Sequence, residues 1–146
     1  MRLILYKNTI KGFKLVLDME IEFIENYNPT YPNDCIFVLK NFKKEELFKL
    51  SAEIDSLIEK MIPIDLSNLE WVKNLSQKSL ALKIGETDMG ILKVENDMYE
   101  CILNKEKYCN MKDMIDNYKI TQTEEYYWLY DINTEIDFLL SYTGRW

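Results

Sequence analysis

Three carboxylates, Asp18, Glu20 and Glu22, alternate with apolar residues in the segment Phe13–Glu25, FKLVLDMEIEFIE. On an extended chain every second side chain points to the same face, so successive carboxylates lie about 7 Å apart. This spacing is close to that of glycoside hydrolase acid pairs, and carboxylate oxygens also bind calcium or magnesium. An acid pair needs two differently tuned environments, however, and a calcium loop brings glycine and asparagine at fixed offsets that this segment lacks. Two interpretations therefore remain, which are a solvated face opposite lysines of a neighbouring strand and a surface that binds a partner.

A second group of acids stands beside aromatic residues in the segment EEYYWLYD, which covers residues 124–131. Tyrosine and tryptophan beside carboxylates are typical of interfaces with basic proteins, where aromatic rings anchor the partner and charge steers it. The same residues also suit an ordinary strand, and strand alternation allows one function on each face. From both segments we predict the following partner-binding residues: Asp18, Glu20, Glu22, Glu124, Glu125, Tyr127 and Asp131.

The composition argues against several kinds of catalysis. Histidine is absent, which removes the commonest general base near neutral pH and the usual partner of a serine or cysteine nucleophile. None of the four glycines falls in a phosphate-binding pattern. The three cysteines, Cys35, Cys101 and Cys109, show no zinc or redox spacing, so reduced thiols in a cytoplasmic protein are expected. We therefore predict no catalytic residue, no metal and no cofactor.

The net charge of −7 is concentrated in acidic blocks. Residues 18–34 carry five acids and no base, residues 86–104 five acids and one lysine, and residues 120–146 five acids and one arginine. Such blocks repel nucleic acids and anionic membranes and attract basic proteins, although acidity also serves solubility alone. No apolar run is long enough to span a membrane. The prediction is a protein partner, with no nucleic acid and no membrane.

Two hydrophobic periods divide the chain into strands and helices. Apolar residues recur at three and four positions from about residue 43 to 61, which indicates an amphipathic helix that Pro63 ends. A short helix capped by Ser67 and another over 110–118 are also predicted. Strands are predicted over residues 2–6, 13–25 with a bend near 18–19, 35–40, 79–84, 90–94 and 98–103, with two more around Ile132–Glu135.

These elements predict one α+β domain over residues 1–146. Its sheet is expected to be mainly antiparallel and built from hairpins, with the long amphipathic helix (about 43–61) and one or two short helices packed on one face.

In size, acidity and the opening hairpin MRLILYKNTIKGFKLVLD, the chain resembles the immunity proteins of bacterial contact-dependent inhibition and polymorphic toxin systems. The resemblance implies a cytoplasmic protein that binds a cognate toxin domain, often a basic nuclease, and blocks its active site or substrate surface. Two alternatives remain open. One is a small-ligand-binding protein or enzyme that uses carboxylate and tyrosine groups, and the other is a structural adaptor or homo-oligomer that pairs through an exposed strand edge.

Overall fold

A computed structural model of the chain describes residues 6–9, 11–13, 18–31, 33–120 and 125–146. The described part begins with an antiparallel hairpin of β1 (Tyr6–Thr9) and β2 (Lys11–Phe13). The predicted strand over residues 2–6 lies almost wholly outside the described residues. Of the strand predicted over residues 13–25, the structure describes Phe13 and residues 18–25, and β3 begins at Met19.

Five strands form the larger sheet, in the spatial order β10-β11-β4-β3-β6. Strand β3 pairs antiparallel with β4 and parallel with β6, while β11 pairs parallel with β4 and antiparallel with β10. These strands are β3 (Met19–Glu25), β4 (Cys35–Lys40), β6 (Val72–Asn74), β10 (Tyr126–Trp128) and β11 (Ile136–Ser141).

The smaller sheet has four strands in the order β5-β7-β9-β8. Its central strands, β7 (Ser79–Ile84) and β9 (Met98–Leu103), run parallel to each other. The flanking strands, β5 (Ile64–Asp65) and β8 (Gly90–Glu95), pair antiparallel with them.

The chain therefore combines α and β structure, but the prediction of one sheet built from hairpins is wrong, although antiparallel pairs outnumber parallel pairs by four to three in the two main sheets. Both sheets are mixed, because β11 returns beside β4 and β9 beside β7 in the parallel sense. The short helix predicted after Ser67 is also wrong. A 3-10 turn over Leu66–Asn68 is followed by the parallel strand β6, whose Val72 packs in the core.

Two α-helices complete the described part, α1 (Lys44–Lys60) and α2 (Lys105–Asp116). Helix α1 ends where Met61 takes a left-handed conformation with φ of 60° and its N–H bonds the Leu57 carbonyl at 2.9 Å. Helix α2 begins five residues before the predicted position because Asn104 caps it, accepting the Lys107 N–H at 2.8 Å.

Both sheets and both helices contribute to one buried core. The ring of Tyr99 on β9 lies 5.1 Å from Phe23 and 5.3 Å from Phe37, which joins the smaller sheet to the inner face of the larger one. The outer face of the larger sheet buries a second small cluster, in which Ile36, Val38 and Leu139 contact Ile24 and Tyr27.

Candidate functional site: an acidic aromatic surface around strand β10

Strand β10 presents two aromatic rings to the outside and one to the core. Tyr126 and Trp128 are 40% and 39% exposed and contact each other edge to face, with ring centroids 6.1 Å apart. Tyr127 between them is half-buried and packs on Tyr118 at 5.3 Å. The predicted contact residue Tyr127 therefore faces inward, and its two neighbours are the aromatic rings that a partner can reach.

The hydroxyl of Tyr118 fixes where β10 begins. In the β10–β11 register the next rung after Tyr126 would join Glu125 to Tyr142. At that position the Tyr118 hydroxyl donates to the Glu125 carbonyl at 2.6 Å and accepts the Tyr142 N–H at 2.9 Å. The side chain thus replaces a backbone rung and attaches β10 to the end of α2.

A second buried hydroxyl, that of Tyr130, fixes the segment after β10. It donates to the Ile136 carbonyl of the larger sheet and accepts the Ile91 N–H of the smaller sheet at 3.1 Å. Gly90, with φ of +73°, allows the backbone of β8 to lie close to Tyr130. A Cβ at this position would lie 3.2 Å from the Tyr130 hydroxyl and 2.9 Å from the Thr134 methyl group. The strand and the loop after it are therefore held to both sheets.

The C-terminal residues add a further ring beside β10. The Ser141 hydroxyl donates to the Arg145 carbonyl at 2.7 Å, which turns the chain back after β11. Trp146 is 42% exposed and meets Tyr27 edge to face at 5.8 Å. Tyr126, Arg145 and Trp146 then share the walls of one cleft.

Four open clefts lie around β10 and the loop that follows it, with volumes of about 360, 410, 500 and 300 Å³. Trp128 and Asp131 each line two of them, and so does Asn133. Five carboxylates line these clefts against two basic side chains. We call this region the acidic aromatic surface, and its members are Tyr27, Tyr31, Asp34, Asp113, Tyr126, Trp128, Asp131, Glu135, Asp137 and Trp146, with Lys107 and Arg145 as the bases.

The carboxylates of this surface differ in environment. Asp131 is 87% exposed and meets Lys107 at 3.4 Å, a long contact that solvent screens. Asp137 accepts a hydrogen bond from the Tyr27 hydroxyl. Burial and the nearby Asp34 raise the pKa of Asp137 more than this hydrogen bond lowers it. Burial and the hydrogen bond to Asp137 raise the pKa of Tyr27 in turn, so its hydroxyl stays protonated near neutral pH.

The predicted carboxylates Asp18, Glu20 and Glu22 lie elsewhere, on β3 of the larger sheet and directly before it. Glu22 pairs with Lys40 of the neighbouring strand at 2.6 Å, as the solvated-face interpretation expects. Glu20 accepts the Asn41 side-chain amide at 2.6 Å, and Asp18, just before β3, is half-exposed. The strand register places Glu22 on the same outer face as Trp128 but three strands away, about 14 Å at the usual strand spacing.

The remaining three predicted residues have different positions. Glu125 is half-buried and accepts the Tyr127 hydroxyl at 2.9 Å, so its carboxylate already has a partner inside the fold. Asp131 belongs to the acidic aromatic surface. Glu124 lies outside the described residues. Of the predicted residues, the structure thus places Asp131 on the acidic aromatic surface. The carboxylates of Asp18, Glu20 and Glu22 lie away from this surface.

The described part of the chain holds no group of three or more cysteine or acidic side chains arranged to bind a metal ion. Burial raises the pKa of the Cys101 thiol to about 12, which keeps it protonated and unreactive. None of the helices among these residues has the length and apolar content needed to cross a membrane.

Comparison with known proteins adds no assignment: no family model matches the chain, and no curated protein matches it.

The surface contains residues that the sequence prediction left out, above all Tyr126, Trp128 and Trp146. Alternation within YYW does predict that the outer two residues share a face. The sequence does not show which face is outward, because that depends on Tyr127 meeting Tyr118 from the distant helix α2. The position of Asp137 depends on the pairing of β11 with β4, and that of Trp146 on the turn of the chain after β11.

Proposed function

We propose that this protein is a protein-binding module that holds a basic partner domain through the acidic aromatic surface. We further propose that it is a bacterial immunity protein, which acts in the cytoplasm by binding and neutralising a cognate toxin domain.

The observation that supports binding is the convergence of charge and exposed rings. Asp113 on α2, Asp131 after β10 and Asp137 on β11 come from three separate parts of the chain and line adjoining clefts. Trp128 lines both of these clefts. Interfaces are typically centred on such partly exposed tryptophan and tyrosine rings, with charge at the rim. A field of one sign also accelerates association with a partner of opposite charge.

The toxin-neutralising part of the proposal follows from the kind of partner that this field selects. Nuclease domains carry basic surfaces that bind phosphates, so a protein with clustered carboxylates competes for the same surface. The resemblance of the chain to immunity proteins in size, acidity and opening hairpin agrees with this role.

The test measures affinity for the protein that co-purifies in equal amount from the native host, at low and at high salt. Trp128→Ala removes the central ring and is expected to weaken binding about tenfold or more, as for an interface hot spot. Asp131→Lys reverses a steering charge and is expected to slow association and flatten its dependence on salt.

Glu59→Lys is the matched control, since it makes the same charge change at an exposed position of α1 that lines none of the four clefts. It is expected to leave association nearly unchanged. Unaltered affinity in both surface variants, or equal effects of Asp131→Lys and Glu59→Lys, would refute binding through this surface. A partner that has no toxic activity when expressed alone would refute the immunity role while leaving the binding surface intact.

A further inference from the structure

Among the described residues, strand β10 has one free edge, and the backbone groups left unpaired there belong to the two exposed aromatic residues. β10 is the outermost strand of the larger sheet, with β11 as its single neighbour in the described structure. The Leu129 N–H donates to the Phe138 carbonyl at 2.8 Å, so the pair Leu129–Phe138 is a hydrogen-bonded rung. Hydrogen-bonded and non-hydrogen-bonded pairs alternate along an antiparallel ladder. The N–H and C=O groups of Trp128 and Tyr126 therefore point away from β11.

The other edges of the larger and the smaller sheet carry features that oppose pairing with a foreign strand. Strand β8 has Lys93 and a bulge between Lys93 and Glu95. Strand β5 has two residues and directly follows Pro63, and β6 carries an exposed Lys73. Lysine, proline, bulges and short length are the usual means of protecting an edge.

Strand β10 has only the last of these protections, since it is three residues long. It contains no lysine or proline, and its pairing with β11 shows no bulge. The short length limits a foreign strand to about four backbone hydrogen bonds, two for each outward-facing residue. Side-chain contacts must then supply the rest of the affinity, and the two exposed rings stand beside the free edge.

We propose that β10 accepts an extended, basic segment of the partner protein as an additional strand of the larger sheet. This inference rests on the proposed function and specifies how the partner is held. The charge around the edge favours a basic segment, because two carboxylates, Asp113 and Asp131, and one base, Lys107, line the cleft at Trp128. Lysine or arginine side chains on the outer face of the added strand would lie beside Tyr126 and Trp128, where cation–π contact is favourable.

The experiment uses the whole protein and a synthetic octapeptide of alternating lysine and threonine at millimolar concentration. Binding is followed by NMR, with hydrogen exchange at each amide of β10. We expect exchange at Tyr126 and Trp128 to slow about fivefold or more, while exchange at Tyr127, already bonded to β11, changes little. The same peptide methylated on alternate backbone nitrogens is expected to lose this protection, and a glutamate–threonine peptide is expected not to bind.

Trp128→Pro removes one outward N–H and is compatible with the strand, because proline is tolerated where the N–H faces away from the ladder. Trp128→Thr is the matched variant that removes the ring and keeps the N–H. Trp128→Thr should keep the methylation-sensitive response, and Trp128→Pro should weaken it, because one of the about four backbone hydrogen bonds is lost. Unchanged Tyr127 exchange in the free variants shows that β10 is intact.

Equal binding of the methylated and unmethylated peptides would overturn strand addition while leaving a basic-segment surface in place. Equal binding of the lysine and glutamate peptides would overturn the basic partner, and absence of binding by either peptide would overturn the strand-addition site. Protection of Tyr126 that grows with protein concentration, without peptide, would show that the edge pairs with a second copy of the chain instead. The affinity measurements with the co-purified protein test the proposed function independently of these peptide experiments.

Discussion

The buried hydroxyl of Tyr130 offers a quantitative test of how the two sheets are held together. Tyr130→Phe keeps the ring and removes only this hydroxyl. The Ile136 carbonyl retains the Thr134 hydroxyl as a donor at 2.8 Å, whereas the buried Ile91 N–H loses its partner. One buried donor left without an acceptor costs about 1–3 kcal/mol in the free energy of unfolding. For a chain of this size the melting temperature falls by about 2–4 °C for each kcal/mol.

Urea unfolding followed by circular dichroism measures this loss, and Tyr126→Phe is the control because its hydroxyl lies on an exposed ring. The control is expected to change stability by less than about 0.5 kcal/mol. Thr134→Val alone should cost little, because Tyr130 still donates to the shared carbonyl, but the double variant should cost more than the sum of the single changes. If Tyr130→Phe matched the control, or if the two changes were additive, the hydroxyl would not bridge the sheets as described.

Two further predictions concern other buried polar groups. Burial raises the pKa of Tyr108 above its ordinary value of 10.0, so the stability that the protonated hydroxyl contributes is complete below pH 10 and declines at higher pH. Urea midpoints measured across this pH range should therefore decline less steeply in Tyr108→Phe than in the unchanged protein. An equal decline would show that the Tyr108 hydroxyl does not make this contribution. Glu46 is 3% exposed and accepts the Met19 and Lys43 N–H groups, each at 2.9 Å, so Glu46→Gln should lower the free energy of unfolding by about 1–3 kcal/mol; equal stability of Glu46→Gln and the exposed control Glu45→Gln would contradict this.

Local patterns predicted the elements whose side chains repeat with a clear period. The alternation over residues 13–25 predicted a strand with an apolar and an acidic face. Its described part, β3, confirms this, with Met19 and Ile21 in the core and Glu20 and Glu22 on the other face. The two C-terminal strands predicted around Ile132–Glu135 are confirmed as β10 and β11. Period alone carries this information because it fixes which residues share a face.

Strand direction was not available from the same patterns. The pattern of Ile136–Ser141 predicts a strand but not its direction. In the structure this strand lies parallel to β4, which is about 100 residues away in the chain. Both of its faces are buried at Leu139 and Leu140, which suits a central strand with neighbours on both sides. Hairpins are joined by local turns, whereas this pairing depends on how the whole chain returns, and no local signal records that.

The acidic aromatic surface shows the same division between sequence and tertiary structure. The sequence determined that carboxylates and aromatic rings are concentrated near the C-terminus and that alternate residues of YYW face opposite ways. Only the tertiary structure decided that Tyr127 turns inward onto Tyr118, that Tyr126 and Trp128 turn outward, and that Asp113 and Asp137 join them. The reason is physical: a face becomes buried or exposed through contact with elements distant in sequence, and the period of a strand is the same on both faces.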